Sequence, residues 1–238
     1  MKKITIFIGS RQKRATLRAA QEFEEKLKVY GAIEVEYVFL KDYRLDYCTG
    51  CNLCFTKGED HCPLKDDRDL LLEKIYGSDG VIFATPNYAF HVTATMKNFL
   101  DRQAFILHRP RFFDKTFTAI VTQGIFGGAP IVKYFKTLSG SMGYRAVKGC
   151  CLTTLEPSTP KEKEKMSKQI QKTARRYYRK LTLSAPESPT FFRLMLFRLA
   201  RTNIMNMLDE SWFDYRYYRL CFGSKGNGGA GFAHTGCQ

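Results

Sequence analysis

From residue 2 the chain reads KKITIFI, an alternation that passes into an apolar run. GSRQKRATLRAAQEFEEKLKVYG follows, its apolar residues recurring at helical spacing up to Gly31. The first pattern predicts a strand, and the second a polar loop feeding an amphipathic helix. IEVEYVFL, rich in β-branched and aromatic residues, predicts a second strand. After an irregular stretch, Asp66 or Asp67 offers an N-cap to a helix carrying Leu70, Leu71, Ile75 and Tyr76 and ending near Gly77. GVIFATP is short and wholly apolar, as a strand buried on both faces must be. Then come a helix in TATMKNFLDRQAFIL, a strand in TFTAIVTQ, a helix in APIVKYFKTLSGSMG, a strand in RAVKGCCLTT, and a long helix opened by Pro160.

Five repeats of strand then helix predict an α/β fold, with a parallel sheet and helices on both faces. Such a sheet binds its ligand at the carboxyl ends of the strands. The loops at 9–16, 86–92 and 123–129 are therefore expected to form the site. Residues 1–183 are expected as the main domain. Residues 184–238 are expected as a C-terminal extension with a helix, an aromatic segment (WFDYRYYRLCF) and a flexible Gly-rich end.

Composition narrows the class. A hydrophobic share of 44% supports a real core. The apolar run near the start is only about five residues, short for a secretory h-region of roughly 7–15. The longest charge-free runs are broken by Gly or Pro, so no membrane span is expected. A cytoplasmic protein with reduced thiols follows, in which clustered cysteines suggest metal or redox chemistry. The formal charge is +15, and residues 161–238 hold fifteen Lys or Arg against six acids. No nucleic-acid motif accompanies that charge, which reads as a solvated helix face.

Loop one, GSRQKRAT, sets Ser10, Arg11, Lys13, Arg14 and Thr16 at a helix start, where amides and the helix dipole favour an anion. It is neither a G-x-G-x-x-G nor a P-loop. In loop two Pro86 stiffens the turn out of a buried strand. Asn87 and the amides after it suit a flat heterocycle, and Tyr88 and Phe90 offer aromatic faces, with Ala89 between them. Thr85-Pro86-Asn87-Tyr88, followed by Lys97-Asn98-Phe99-Leu100-Asp101-Arg102, resembles the NADPH-dependent FMN reductase family of flavodoxin-like proteins. Loop three is similar to that family's third flavin loop through Thr122, Gln123, Gly124, Gly127 and Gly128. Loop one departs from the family pattern, being one residue shorter after Gly9-Ser10.

The resemblance implies a flavodoxin-like, doubly wound five-stranded sheet of order 2-1-3-4-5. It implies FMN held noncovalently by the three loops, NAD(P)H as co-substrate and a homodimer. The chemistry would be the flavin's, and no catalytic side chain is assigned; His91 reads as a polar loop residue. Lys97, Asp101 and Arg102 read as structural.

Cys48, Cys51, Cys54 and Cys62 fall in YCTGCNLCFTKGEDHCPLKDD, spaced C-x2-C-x2-C-x7-C with Pro63 after the last. The first three match the opening of a ferredoxin run. The iron–sulfur flavoproteins of the same superfamily use a compact four-cysteine motif here for a [4Fe-4S] cluster, and other relatives carry a similar segment with no cluster. Both readings stay open. Zinc fits less well, since ribbon sites separate their pairs by roughly 15–20 residues. Cys150 and Cys151 read as core, and Cys221 and Cys237 as unpartnered tail residues. The function expected is an oxidoreductase passing reducing equivalents from NAD(P)H to a quinone, flavin or other small acceptor. The alternative is an iron–sulfur flavoprotein exchanging electrons with a ferredoxin-like partner.

Overall fold

The computed structural model describes residues 1–184 and 191–220. Cys221, Cys237 and the Gly-rich end lie outside the described residues. The chain divides into two compact units: Met1–Cys48 with Asp66–Pro186, and Thr49–Lys65 with Glu187–Gln238. In this division the cysteine segment falls outside the sheet-bearing unit.

The first unit follows the predicted alternation. β1 (Lys2–Ile8), α1 (Ala15–Lys28) and β2 (Ile33–Phe39) open it. In the second unit α2 (Leu53–Thr56) interrupts the sequence. The first unit then resumes with α3 (Arg68–Tyr76), β3 (Gly80–Pro86), α4 (Ala94–Asp101), α5 (Phe105–His108), β4 (Thr116–Gln123) and α6 (Ala129–Ser141). β5 (Arg145–Ala146), β6 (Cys150–Thr153) and α7 (Pro160–Leu181) close it. The second unit also holds α8 (Phe191–Met207) and α9 (Phe213–Leu220). No helix among the described residues is long and apolar enough to cross a membrane.

All strand pairings within the described sheet are parallel, in the order β2-β1-β3-β4-β5, with β6 also on β4. The predicted fifth strand is therefore two pieces sharing one edge of β4. β5 pairs with Thr116 and Phe117, and β6 with Ile120 to Gln123. Gly149 marks the interruption, where a Cβ would stand 2.1 Å from the Ala119 carbonyl oxygen. Only glycine lets the chain approach its neighbour's backbone that closely.

Period two divides the core. Ile4, Ile6 and Ile8 of β1 and Ile82 and Ala84 of β3 face Ala20, Phe23 and Leu27 of α1 and Ile170, Ala174 and Tyr177 of α7. Phe7 and Phe83 lie in the opposite layer, meeting Phe99 of α4 and Phe135 of α6 at centroid distances of 5.0–5.8 Å. α7 begins with a capping box, Thr159 and Glu162 satisfying each other's backbone amides.

Asp67 takes the N-cap position of α3 without a side-chain hydrogen bond to the helix, and the two aspartates tie down the chain around it. The Asp66 carboxylate accepts from the amides of Asp46 (2.9 Å) and Arg68 (3.2 Å) and from Nη2 of Arg102 at 2.8 and 2.9 Å. The two side chains are 0% and 3% exposed. Burial pushes the Asp66 carboxyl up, but Arg102 and the two amides outweigh it and hold the group below the usual carboxylate range. Asp67 bonds Arg44 reciprocally, its carboxylate taking the Arg44 amide (2.7 Å) and its own amide giving to the Arg44 carbonyl (2.9 Å). The side chain of Asn98 donates to the Leu45 carbonyl at 2.9 Å. Residues 44–46 and 66–68, where the chain leaves and re-enters this unit, are thereby tied into one clasp.

Candidate functional site

The three loops are laced together at the carboxyl ends of β1, β3 and β4. The Thr93 hydroxyl donates to the Gly9 carbonyl (2.7 Å) while capping α4 through the Met96 amide (3.2 Å). Thr16 and Thr122, both buried, share a hydroxyl–hydroxyl hydrogen bond of 2.8 Å. The Asn87 amide donates to the Thr122 carbonyl (2.7 Å) and its side-chain nitrogen to the Phe126 carbonyl (3.0 Å). Gln123 organises loop three from within, accepting from the Gly128 amide (2.7 Å) and donating to Ile125 and Thr153.

Between these loops lies a cleft of about 230 Å³. Ser10 and Thr16 line it from loop one, Pro86, Asn87 and Tyr88 from loop two, and Thr122, Gln123 and Gly124 from loop three. Gly124 has open space where a side chain would stand. A larger cleft, about 320 Å³, sits at the other end of the strands around Lys3, Glu34 and Lys74. Its two lysines already pair with carboxylates, Lys3 with Glu34 and Lys74 with Glu36, and the three loops are not there.

Not every expected residue faces the cleft. Arg11 and Lys13 are exposed and do not line it, and Lys13 rests over the Phe39 ring at 5.0 Å. Ala89, Phe90 and Gly127 do not line it either, the first two being exposed. Gln12, Arg14, Ala15 and Thr154 line the cleft instead. Arg14 was legible as part of the cradle. Thr154 comes from the end of the broken fifth strand, which no local pattern marks as a ligand position.

Two features leave binding capacity unused. Arg14 takes the N-cap position of α1 without a side-chain hydrogen bond to the helix, and the first turn carries no acid. The first amides of a 14-residue helix therefore point out uncapped beside the buried Ser10. The second is Asn87 Oδ1, which is buried and has no hydrogen-bond partner. A buried acceptor left empty costs about 1–3 kcal/mol unless something fills it.

Loop two also stores strain. Ala89 and Phe90 have φ of 48° and 63°, and Tyr88 and His91 bond across them in both directions at 2.9 Å. Two successive positive φ values mark the tight hairpin turn that Asn-Gly usually fills. Here the turn presents Phe90, 63% exposed, against Phe126 at 5.7 Å between ring centroids. Gly127, at φ 93°, makes room for that ring, since a Cβ there would meet it at 2.5 Å. His91 packs on the Tyr134 ring at 5.1 Å, and burial pushes the Tyr134 hydroxyl up, with Lys97 opposing and Asp101 adding to the shift.

A family model for NADPH-dependent FMN reductases matches residues 2–153. The chain belongs to that family. It is similar to an iron–sulfur flavoprotein of Archaeoglobus fulgidus, 35% identical over 127 residues, which are 53% of this chain and 61% of that protein. A second from the same organism is 39% identical over 102 residues, 43% of this chain and 41% of that one. The chain thus spans about half the length of these relatives. An iron–sulfur flavoprotein of Clostridioides difficile is 27% identical over 177 residues, covering 73% and 77% of the two chains. Among solved structures, an NAD(P)H:quinone oxidoreductase from Methanothermobacter marburgensis has a TM-score of 0.59 at 18% identity, over 73% of this chain and 96% of that one. That likeness bears on the fold, a flavodoxin-like α/β sheet.

The family's cofactor fits the cleft on its own terms: uncapped amides and Ser10 suit a phosphate, and the empty Asn87 acceptor suits a ring N–H. The cysteines are different. Cys48 and Cys51 are exposed, and Cys54 and Cys62 half-buried. Four thiols are a suitable donor set for iron–sulfur ligation. Among the described residues no three His, Cys, Asp or Glu side chains form a metal-holding group. Cys150 is core, its thiol pushed up to about 12 by burial, and burial also raises that of Cys151.

Proposed function

We propose that this chain binds FMN in the cleft between the three loops and passes reducing equivalents from NAD(P)H to a small acceptor such as a quinone or a free flavin. The observation that carries this is the buried, unpartnered Oδ1 of Asn87, a residue that lines the cleft. A flat heterocycle with an N–H edge satisfies it. The α1 amides, Ser10 and Arg14 take the phosphate. Tyr88, Phe90 and Phe126 flank the exposed side, where nicotinamide and acceptor stack in turn. When bound, FMN supplies the hydride and electron chemistry. The protein's part is to orient it and to keep one face open. A second copy of the chain set beside this face, where Ile125 is also exposed, would wall the open side without closing it.

The test is an FMN titration of flavin-free protein followed by NAD(P)H oxidation with menadione. Saturable binding at micromolar FMN or below is expected, weakened about tenfold in Asn87→Ala, the equivalent of one hydrogen bond. A full-length protein that takes up no FMN overturns the reading.

A second reading, an iron–sulfur flavoprotein serving a ferredoxin-like partner, is favoured by the names of the relatives and by the four cysteines. Anaerobically purified protein with about four irons per chain supports it. Flavin bands with no iron remove it.

A further inference from the structure

The cysteine segment is poorly equipped to fold alone. It carries one four-residue helix, α2, with no buried residue, entered through Asn52 at φ 60°. Gly50 and Gly58 have φ of 68° and 109°. Helices this short are unstable in water without tertiary cover, and each left-handed position adds backbone entropy to be overcome.

The cover is α9. Gly58 is buried, and a Cβ built on it would stand 3.4 Å from two carbons of the Phe213 ring. The Arg216 guanidinium lies over the Phe213 ring itself, 5.3 Å from its centroid. Further along α9, Tyr218 is 2% exposed and meets Phe197 of α8 at 5.6 Å. Asp214, one turn earlier on that face, is 1% exposed. α9 therefore has two occupied faces, one anchored on α8 and one set on the cysteine segment.

We propose that the C-terminal helices are the second half of the cysteine module, with Phe213 the positioning residue that seats the turn around Gly58 and so orders Cys54 and Cys62 on either side of it. Cys54 lies within α2 and Cys62 ends the turn at Glu59–His61 that follows Gly58. The exposed Cys48 and Cys51 precede this seat. The purpose of such a module rests on the four-cysteine reading, whereas the packing can be read without it.

The experiment is hydrogen exchange followed by mass spectrometry on the full-length protein and on Phe213→Ala. Amides of residues 53–62 are expected to exchange at least tenfold faster in the variant, with β1, β3 and β4 unchanged. Alkylation of Cys54 and Cys62 in the reduced protein should accelerate toward the rates of Cys48 and Cys51. Phe213→Tyr should restore both, because the ring and not merely bulk fills the space over Gly58. Unchanged exchange in 53–62 overturns the proposal. So does faster exchange spread equally over the sheet strands, the mark of general destabilisation. Should Phe213→Ala fail to fold, Arg216→Ala, which frees the ring without removing it, gives the same regional test with a smaller effect. FMN affinity measured on the same samples keeps the outcomes apart: a wild-type protein without FMN binding sinks the flavin reading and leaves this one standing.

Discussion

Ala89 and Phe90 hold a turn that their side chains oppose. A non-glycine residue in the left-handed region costs about 1–2 kcal/mol. Two in succession persist only where the surroundings impose them, and such strain gathers at binding sites. Here the outer hydrogen bonds between Tyr88 and His91 and the space left by Gly127 impose it. Ala89→Gly removes one penalty while adding unfolded-state freedom, so a net gain of about 1 kcal/mol is expected. In a chain of this length the unfolding temperature should rise by about 2–4 °C. A fall in that temperature would mean the turn is not strained. The aromatic faces of Tyr88 and Phe90 were legible in the sequence, because TPNY names the loop. The positive φ values were not, because the local residues favour another turn and only the contacts across the loop select this one.

At the level of elements, Asp66 joins the start of α3, the end of α4 and the chain at Asp46. From sequence it is a helix cap, one of two candidates. It does bond the Arg68 amide, yet its larger part is the buried pair with Arg102, which lies 36 residues away and which no local signal connects to it. Asp66→Asn removes the carboxylate charge paired with the buried Arg102 guanidinium, so a loss of about 3 kcal/mol is expected in urea unfolding at neutral pH. The pH dependence has a definite sign. Because the folded carboxyl sits below its unfolded value of about 3.9, the stabilisation is full above that value. It disappears as pH falls through the lower, folded value. The gap between wild type and Asp66→Asn should therefore hold from neutrality down to about pH 4 and narrow below it. A gap that widens in acid would contradict the assignment.

For the whole molecule, charge is the feature that acts at a distance. A net +15 focuses anions toward the protein. Reduction of ferricyanide should slow several-fold as ionic strength rises from about 0.01 to about 0.15 M, where the Debye length shrinks from about 30 to about 8 Å. Reduction of uncharged menadione should change less than about twofold, since an uncharged acceptor is not steered. Equal salt dependence for both would show that the charge steers nothing. The order of strands and helices up to β4, and the positions of the three loops at the strand ends, were legible in the sequence itself, because they rest on short-range facts: period two or 3.6, and glycines and prolines at turns. The expectation of a flavin came from the family resemblance of TPNY and KNFLDR. Three things were decided only by the tertiary structure. The fifth strand breaks because Gly149 meets the Ala119 backbone. Asp66 finds Arg102. The cysteine segment belongs with α8 and α9, not with the sheet that flanks it in the chain. Each depends on residues distant in sequence arriving at contact distance, and that information resides in packing, where no local pattern records it.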